Sequence, residues 1–444
     1  MKKMMFLFYL MLPLLLYGQQ PEVTVLSLNE CINLGLSNNL KLKQARMESD
    51  KSRYQLQEAV SAGLPKVSSY ASFDDYFDIP VNMVSGEILG QPGTMVPIQL
   101  GTRYNATAGI QAGQMIYNAA FFESVRLFRK ACEISNLNLE QYKEELAYNL
   151  AQIYLFIQTT NKQLSLIDSN LVAFTKIYDY SAQHYNNGLI RKTDLDRVTV
   201  AIHNMETERD NLLLTRNQQL NMLKYLTGID QDHNIILSDE IDFISFPCEY
   251  TDTIFNNQID IRLLEQKKEL ADINLHLTRA SNVPSLSGYA AFSYMAPVEK
   301  LNRIDNKDNW YKTSFVGLKL TIPIFEGNKV RSKLKQNQIE INQLQTSQKD
   351  LRSELSVRLK NVSDKLRTNR EMEVRLKTDK ELAGNVLNIT SQQYGLGLKS
   401  FTDVLNARYE YNTAHLSWLN SLLQIKLSEL EIAKIQGNIN TIIL

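Results

Sequence analysis

The chain has 444 residues, and its 48 lysines and arginines are balanced by 48 aspartates and glutamates. That length exceeds one ordinary domain, and a neutral chain lacks the basic face that nucleic-acid binding requires. Three cysteines, Cys31, Cys132 and Cys248, are too few for a disulfide framework and read as small buried residues.

The N-terminus carries two lysines, an apolar run over 4–17, and then Gly18-Gln19-Gln20. This is the pattern of a secretory signal peptide over 1–18, cleaved after Gly18, and its removal leaves a formal charge of −2. No cysteine follows that site, so no lipid anchor is expected there. No later segment reaches the roughly 18 apolar residues of a spanning helix, which leaves a β-barrel as the only route through a membrane.

The exported chain reads as two repeats, 19–228 and 257–437, joined by an irregular segment over 229–256 and ending in a short tail, 438–444. In the first repeat, residues 21–27 are extended. Leu34, Leu36, Leu40, Leu42 and Ala45 mark a helix over 28–62, which Gly63-Leu64-Pro65 stops. The period then changes to two, predicting strands over about 66–77 and 104–117. Three prolines and several glycines make 78–103 a long loop. In the second strand, Tyr104, Ala106, Ala108, Ile110 and Ala112 alternate with polar residues and glycines, as expected of a strand between hydrocarbon and water. A long helix covers 119–185 and a shorter one 193–226. At 1.5 Å per residue the long helix would reach roughly 100 Å, and its apolar stripe calls for coiled-coil partners.

The second repeat follows the same order: a helix over 259–280, strands over about 285–296 and 311–325, a long helix over 329–394 interrupted only at Gly384, and a last helix over 402–435. Pro284–Phe292 matches Pro65–Phe73 at an offset of 219 residues. Val316, Leu318, Leu320 and Ile322 form one apolar face, facing lipid in this reading. Ser68, Tyr70, Thr107, Gln111, Ser287, Tyr289 and Lys319 form the opposite, watery face. Tyr104, Trp310 and Tyr311 suit an interface girdle. Four strands cannot close a barrel, and an open sheet in lipid leaves unpaired edges, so oligomerisation is required. A polar interior favours three copies and twelve strands over two copies and eight.

Between the paired helices lies one motif, twice. Tyr185-x-x-Gly188-Leu189-x-x-x-Thr193-Asp194 recurs as Tyr394-x-x-Gly397-Leu398-x-x-x-Thr402-Asp403, 209 residues later and without a gap. The glycines suit a left-handed helix end, and Thr-Asp suits the start of the next helix.

This doubled motif resembles the periplasmic tip turns of the outer-membrane efflux protein (TolC) family, and the likeness extends over essentially the whole mature chain. The resemblance implies a mainly α fold with a β-barrel contribution: long coiled-coil hairpins and four transmembrane strands per chain. It implies a homotrimer with a shared twelve-stranded barrel in outer-membrane lipid and a helical periplasmic tunnel. The shorter helices would stack end to end in pairs, and 229–256 with the C-terminal tail would form a belt. It also implies an exit duct of a tripartite efflux or type I secretion system, with a periplasmic adaptor (membrane fusion protein) linking it to an inner-membrane pump.

Adaptor docking would fall to Tyr185, Gly188, Leu189, Thr193 and Asp194 in the first turn. In the second it would fall to Tyr394, Gly397, Leu398, Thr402, Asp403, Val404 and Leu405. The first turn departs from the pattern, with Asp196 where the second has Leu405. Asp379 and Glu381, just before the second turn, are the nearest acidic candidates for a pore constriction, with Lys380 between them.

His184, His203, His233, His276 and His415 have no metal-ligand spacing, and no catalytic or nucleotide motif occurs. No enzyme activity, metal, cofactor or nucleic-acid partner is expected. The rival reading is a periplasmic coiled-coil scaffold or adaptor with no membrane barrel; the four alternating strands distinguish the two.

Overall fold

The computed structural model describes residues 24–90, 92–188, 190–241 and 255–439. The signal peptide, Leu189, residues 242–254 of the joining segment with Cys248, and the last residues of the tail lie outside the described residues. The chain divides into two compact units. One comprises Met1–Arg46, Asn138–Arg262 and Leu351–Leu444; the other comprises Met47–Leu137 and Leu263–Asp350.

The second unit holds the four-stranded sheet. Strands β2 (Lys66–Asp75), β5 (Tyr104–Tyr117), β7 (Ser285–Val298) and β8 (Tyr311–Thr321) pair antiparallel in the order β2-β5-β7-β8. Each repeat therefore supplies one neighbouring pair, and β2 and β8 are left as open edges. The segment expected as a loop over 78–103 instead contains a hairpin, β3 (Val81–Ser85) with β4 (Met95–Gln99). Its glycines belong to the turn, where Gly90 and Gly93 adopt φ of 74° and 81°. Pro97 is tolerated because a two-stranded ribbon is all edge.

Below the sheet, α5 (Ile259–Ala280) and α6 (Lys329–Gly395) pack through Ala271, Leu275 and Ile341. The Asn337 side-chain amide donates to Thr278 Oγ1 at 2.9 Å and to the Asn274 carbonyl at 3.2 Å, tying the start of α6 to the end of α5.

The first unit is helical. α3 (Ala119–Asn186), α4 (Lys192–Thr227) and α7 (Phe401–Ile435) contribute to an apolar core that includes Cys31, Ile32, Leu150, Tyr154, Leu223 and Leu430, while Leu355, Leu359, Val362 and Leu366 of α6 pack in a second cluster with Ile432 and Ile435. Burial pushes the Cys31 thiol up to about 12, so it behaves as the packing residue expected. The joining segment is not wholly irregular: β6 (Ile235–Leu237) pairs in parallel with β1 (Thr24–Leu26). Asp239 accepts from the Leu28 amide at 2.7 Å and so anchors the start of the first helix, α1 (Leu28–Asn38).

The helix expected over 28–62 is two helices, α1 (Leu28–Asn38) and α2 (Leu40–Ser61). Asn39 breaks it with extended backbone, φ −60° and ψ 124°. Its side chain accepts from the Leu42 amide and donates to the Leu226 carbonyl at 2.9 Å, so it caps two helix ends at once. At the same joint Gly228 closes α4 with φ of 72°. A Cβ there would lie 2.8 Å from Asn38 Cβ, so only glycine admits this approach.

The second repeat builds the equivalent joint. Gln258 accepts from the Ile261 amide at 2.9 Å, and a Cβ on Gly437 would lie 2.6 Å from the Asn257 carbonyl. Glycine against helix start is thus a duplicated joint. Gly384 does not interrupt α6; it makes room for the Tyr411 ring, which a Cβ would meet at 3.3 Å.

Candidate functional site

The two hairpin tips close in the same way. Gly188 and Gly397 adopt φ of 71° and 74°, and each donates its amide to the tyrosine three residues before it at 2.9 Å. Neither glycine has a heavy atom within 4 Å of where a Cβ would lie, so backbone conformation, not space, demands glycine.

Beyond the turn the tips diverge, and the expected caps need correction. Thr193 and Thr402 do not cap. In the second tip the cap is Ser400, whose hydroxyl accepts from the Asp403 amide. The Asp403 carboxylate accepts from the Ser400 amide at 2.9 Å and hydroxyl at 2.8 Å, completing a capping box. These bonds hold the Asp403 carboxyl below the usual carboxylate range, the Ser400 backbone amide contributing most. In the first tip the cap position is Arg191, which offers no side-chain bond.

Packing diverges with the caps. Phe401 is buried and meets Phe174 edge-on at 6.2 Å and Tyr394 at 6.5 Å. Val198 and Val404 are fully buried, and Leu405 packs on the cluster. The Tyr394 hydroxyl lies 3.2 Å from that of buried Ser181. The corresponding Tyr185, Lys192 and Asp196 of the first tip are exposed. Tyr394, Val404 and Leu405 therefore hold the corner, while Leu398 is 71% exposed and free to meet a partner. Ser181, Val198, Ser400 and Phe401 escaped the sequence reading, and Phe174 is legible there only as part of the apolar stripe of the long helix. Ser400-x-x-Asp403 is a legible capping pattern; the aromatic cluster depends on a residue more than 200 positions away.

On the sheet, register gathers all the polar-face residues onto one side. Ser68 stands opposite Gln111, Ser287 opposite Lys319, and Tyr289 opposite both Gly113 and Gly317. Thr107 lies on the same side, opposite Ser72. The Tyr289 ring covers Gly317, where a Cβ would be 2.5 Å away. Val316, Leu318 and Leu320 occupy the other face at 85%, 70% and 60% exposure. Ile322 lies just past the ladder. Tyr104, Trp310 and Tyr311 cluster at the hairpin end of the sheet, but Tyr311, opposite Met295, falls on the polar face.

Asp379 and Glu381 are both exposed on α6, roughly 200° apart around it, so they do not share a face. Lys380 leaves them for the Trp418 ring, with its ammonium 3.7 Å from the centroid. Among the described residues no group of three or more His, Cys, Asp or Glu is placed to hold a metal ion.

The family model for the outer membrane efflux protein matches residues 31–229 and 252–438, most of the chain and both repeats. The chain belongs to the outer membrane efflux protein family. Outer membrane protein TolC of Escherichia coli is 21% identical over 359 residues, covering 77% of this chain and 71% of that protein. The TolC of Salmonella enteritidis is 20% identical with the same coverage. Among solved structures, the CusC channel superposes with a TM-score of 0.76 at 15% identity, covering 92% of both chains. The Campylobacter jejuni CmeC outer membrane channel gives 0.76 at 17%, covering 93% of this chain and 85% of that one. The open-state MtrE channel of Neisseria gonorrhoeae gives 0.72 at 16%, covering 92% and 88%.

As an outer membrane efflux protein, the chain is an outer-membrane channel component, and its work is transport. The mainly helical fold with its four-stranded, two-faced sheet is that of the solved channels. A scaffold that never enters a membrane has no use for that sheet.

Proposed function

We propose that three copies of this chain close a twelve-stranded barrel in the outer membrane and form the exit duct of a tripartite efflux or type I secretion system. One observation carries the reading. The four-stranded sheet has one apolar and one polar face, and its edges, β2 and β8, are exposed along nearly their whole length. Unpaired edges in hydrocarbon cost several kcal/mol per orphaned group. The β2 edge of one copy pairing with the β8 edge of the next satisfies both. Ser68, Tyr70, Thr107, Gln111, Ser287, Tyr289 and Lys319 then line a wet lumen, and Val316, Leu318 and Leu320 face lipid. The two repeats supply equivalent hairpin ends, and these dock a periplasmic adaptor that couples the duct to an inner-membrane pump. The exposed Gly188 and Gly397 turns with Leu398 are the surfaces offered. Either Asp379 or Glu381, not both, lines the passage and contributes a ring of three carboxylates.

Arginine at Val316 or Leu320 tests the facing. At mid-membrane it should cost roughly 2–4 kcal/mol per chain and reduce trimer yield in the outer membrane. Unchanged yield refutes the assignment. Single cysteines along β2 and β8 should cross-link neighbouring copies with a period of two; no inter-copy cross-link along either edge would contradict the shared barrel.

A further inference from the structure

The sheet's two ends differ in charge. At the hairpin end, residues 74–103 carry four carboxylates and one arginine, and residues 299–308 carry three of each sign. At the helical end, between Glu326 and Glu340, lie Lys329, Arg331, Lys333 and Lys335 with no carboxylate among them. All four are exposed, and none has an ion-pair partner among the described residues. Exposed Arg279 ends α5, which the Asn337 bonds hold against the same turns of α6. Ahead of this run, and separated from it by Glu326, Gly327 and Asn328, Ile324 and Phe325 are 93% and 82% exposed. The first repeat has a related order: exposed Ile116, Tyr117 and Phe122, then Glu123 paired with exposed Arg126 at 3.0 Å, then exposed Arg129.

An apolar and aromatic step followed within about one helical turn by cations is what a membrane boundary selects, because rings sit at headgroup depth and ammonium or guanidinium groups meet phosphates. The geometry on α6 is robust to its orientation. Val330, Leu334 and Asn337 mark the packed side; Lys329 and Lys333 flank it on one side, Arg331 and Lys335 on the other. Whichever flank turns away from the lumen presents two cations. From Lys329 to Lys335 the helix rises only about 9 Å, within a Debye length of the headgroups.

We infer that the strand-to-helix joint of the second repeat, with Arg279, is a binding surface for anionic phospholipid headgroups of the periplasmic leaflet. This rests on the barrel reading above. The apolar residues set the depth of the sheet, and the cations hold it there by pairing with lipid phosphates.

The test uses the full chain reconstituted in phosphatidylcholine vesicles, with and without phosphatidylglycerol, followed by native mass spectrometry of the lipid that stays bound. Phosphatidylglycerol should be enriched, and enrichment should fall about five-fold for each leaflet-facing cation removed in the variant K329Q/R331Q/K333Q/K335Q. High salt should have the same effect. The variant K300Q/K307Q, at the opposite end of the sheet, should behave as wild type. Equal enrichment in the quadruple variant overturns the inference, as does loss of enrichment in K300Q/K307Q alone. Failure of the wild-type chain to insert into either vesicle would instead sink the barrel reading, and the inference with it.

Discussion

At the second tip Phe401 packs between Phe174 and Tyr394, whereas the first tip places Lys192 at the matching position, exposed to water. The second helix start is locked by the Ser400–Asp403 box; the first, at Arg191, has none. Both turns keep the left-handed glycine that chain reversal requires. One motif therefore sits on two supports: a capped corner with a buried aromatic in the second repeat, and an uncapped corner with exposed Lys192 in the first, both resting on the cluster around Phe174 and Val198. If tip motion opens the duct, the first tip has the lower local barrier, since its helix start lacks both the cap and the buried aromatic of the second.

The comparison can be broken most sharply at Phe401. Phe401→Ala should cost roughly 3–5 kcal/mol locally, as for other buried aromatic truncations, and release hydrogen-exchange protection around 174 and 401–407. Lys192→Ala should change almost nothing; equal effects would erase the asymmetry. Next in size, Gly397→Val should cost about 1–2 kcal/mol, because a branched side chain resists positive φ. Gly188→Val should show less in urea titration, since an uncapped corner can relax. A larger loss at Gly188 would reverse the ranking of the tips.

A smaller and more informative pair exchanges the caps. Ser400→Ala should destabilise the start of α7 by about 1 kcal/mol. Arg191→Ser recreates the Ser-x-x-Asp spacing with Asp194 and should stabilise α4 by a similar amount; no gain in exchange protection would show that the first corner is loose for another reason. The smallest effect is acid sensitivity. The Asp403 carboxyl is held below its ordinary value in the folded state, so its contribution is present above that ordinary value. It is lost as pH falls through the folded-state value. Acid should therefore loosen the second tip first, visible as faster exchange at Asp403 and Val404; Asp403→Asn should abolish the dependence.

Much of this was legible in the sequence because periodicity is local. Alternation over Tyr104–Ala112 and Val316–Leu320 placed the strands, and the ladder then put every predicted polar-face residue on one side. Three features were hidden, each for a physical reason. The break at Asn39 is set by the Leu226 carbonyl, a partner 187 positions away. The Val81–Gln99 hairpin was masked by Pro97 and its glycines, which a free two-stranded ribbon accommodates. The tip asymmetry lies in Ser400 and Phe401, which occupy the variable positions of the repeated motif, between Leu398 and Thr402.

The most direct test of the shared barrel is the mass of the protein extracted in mild detergent from an outer-membrane fraction. Three chains per particle are predicted. A single chain, or a protein found only in the soluble periplasmic fraction, would contradict it.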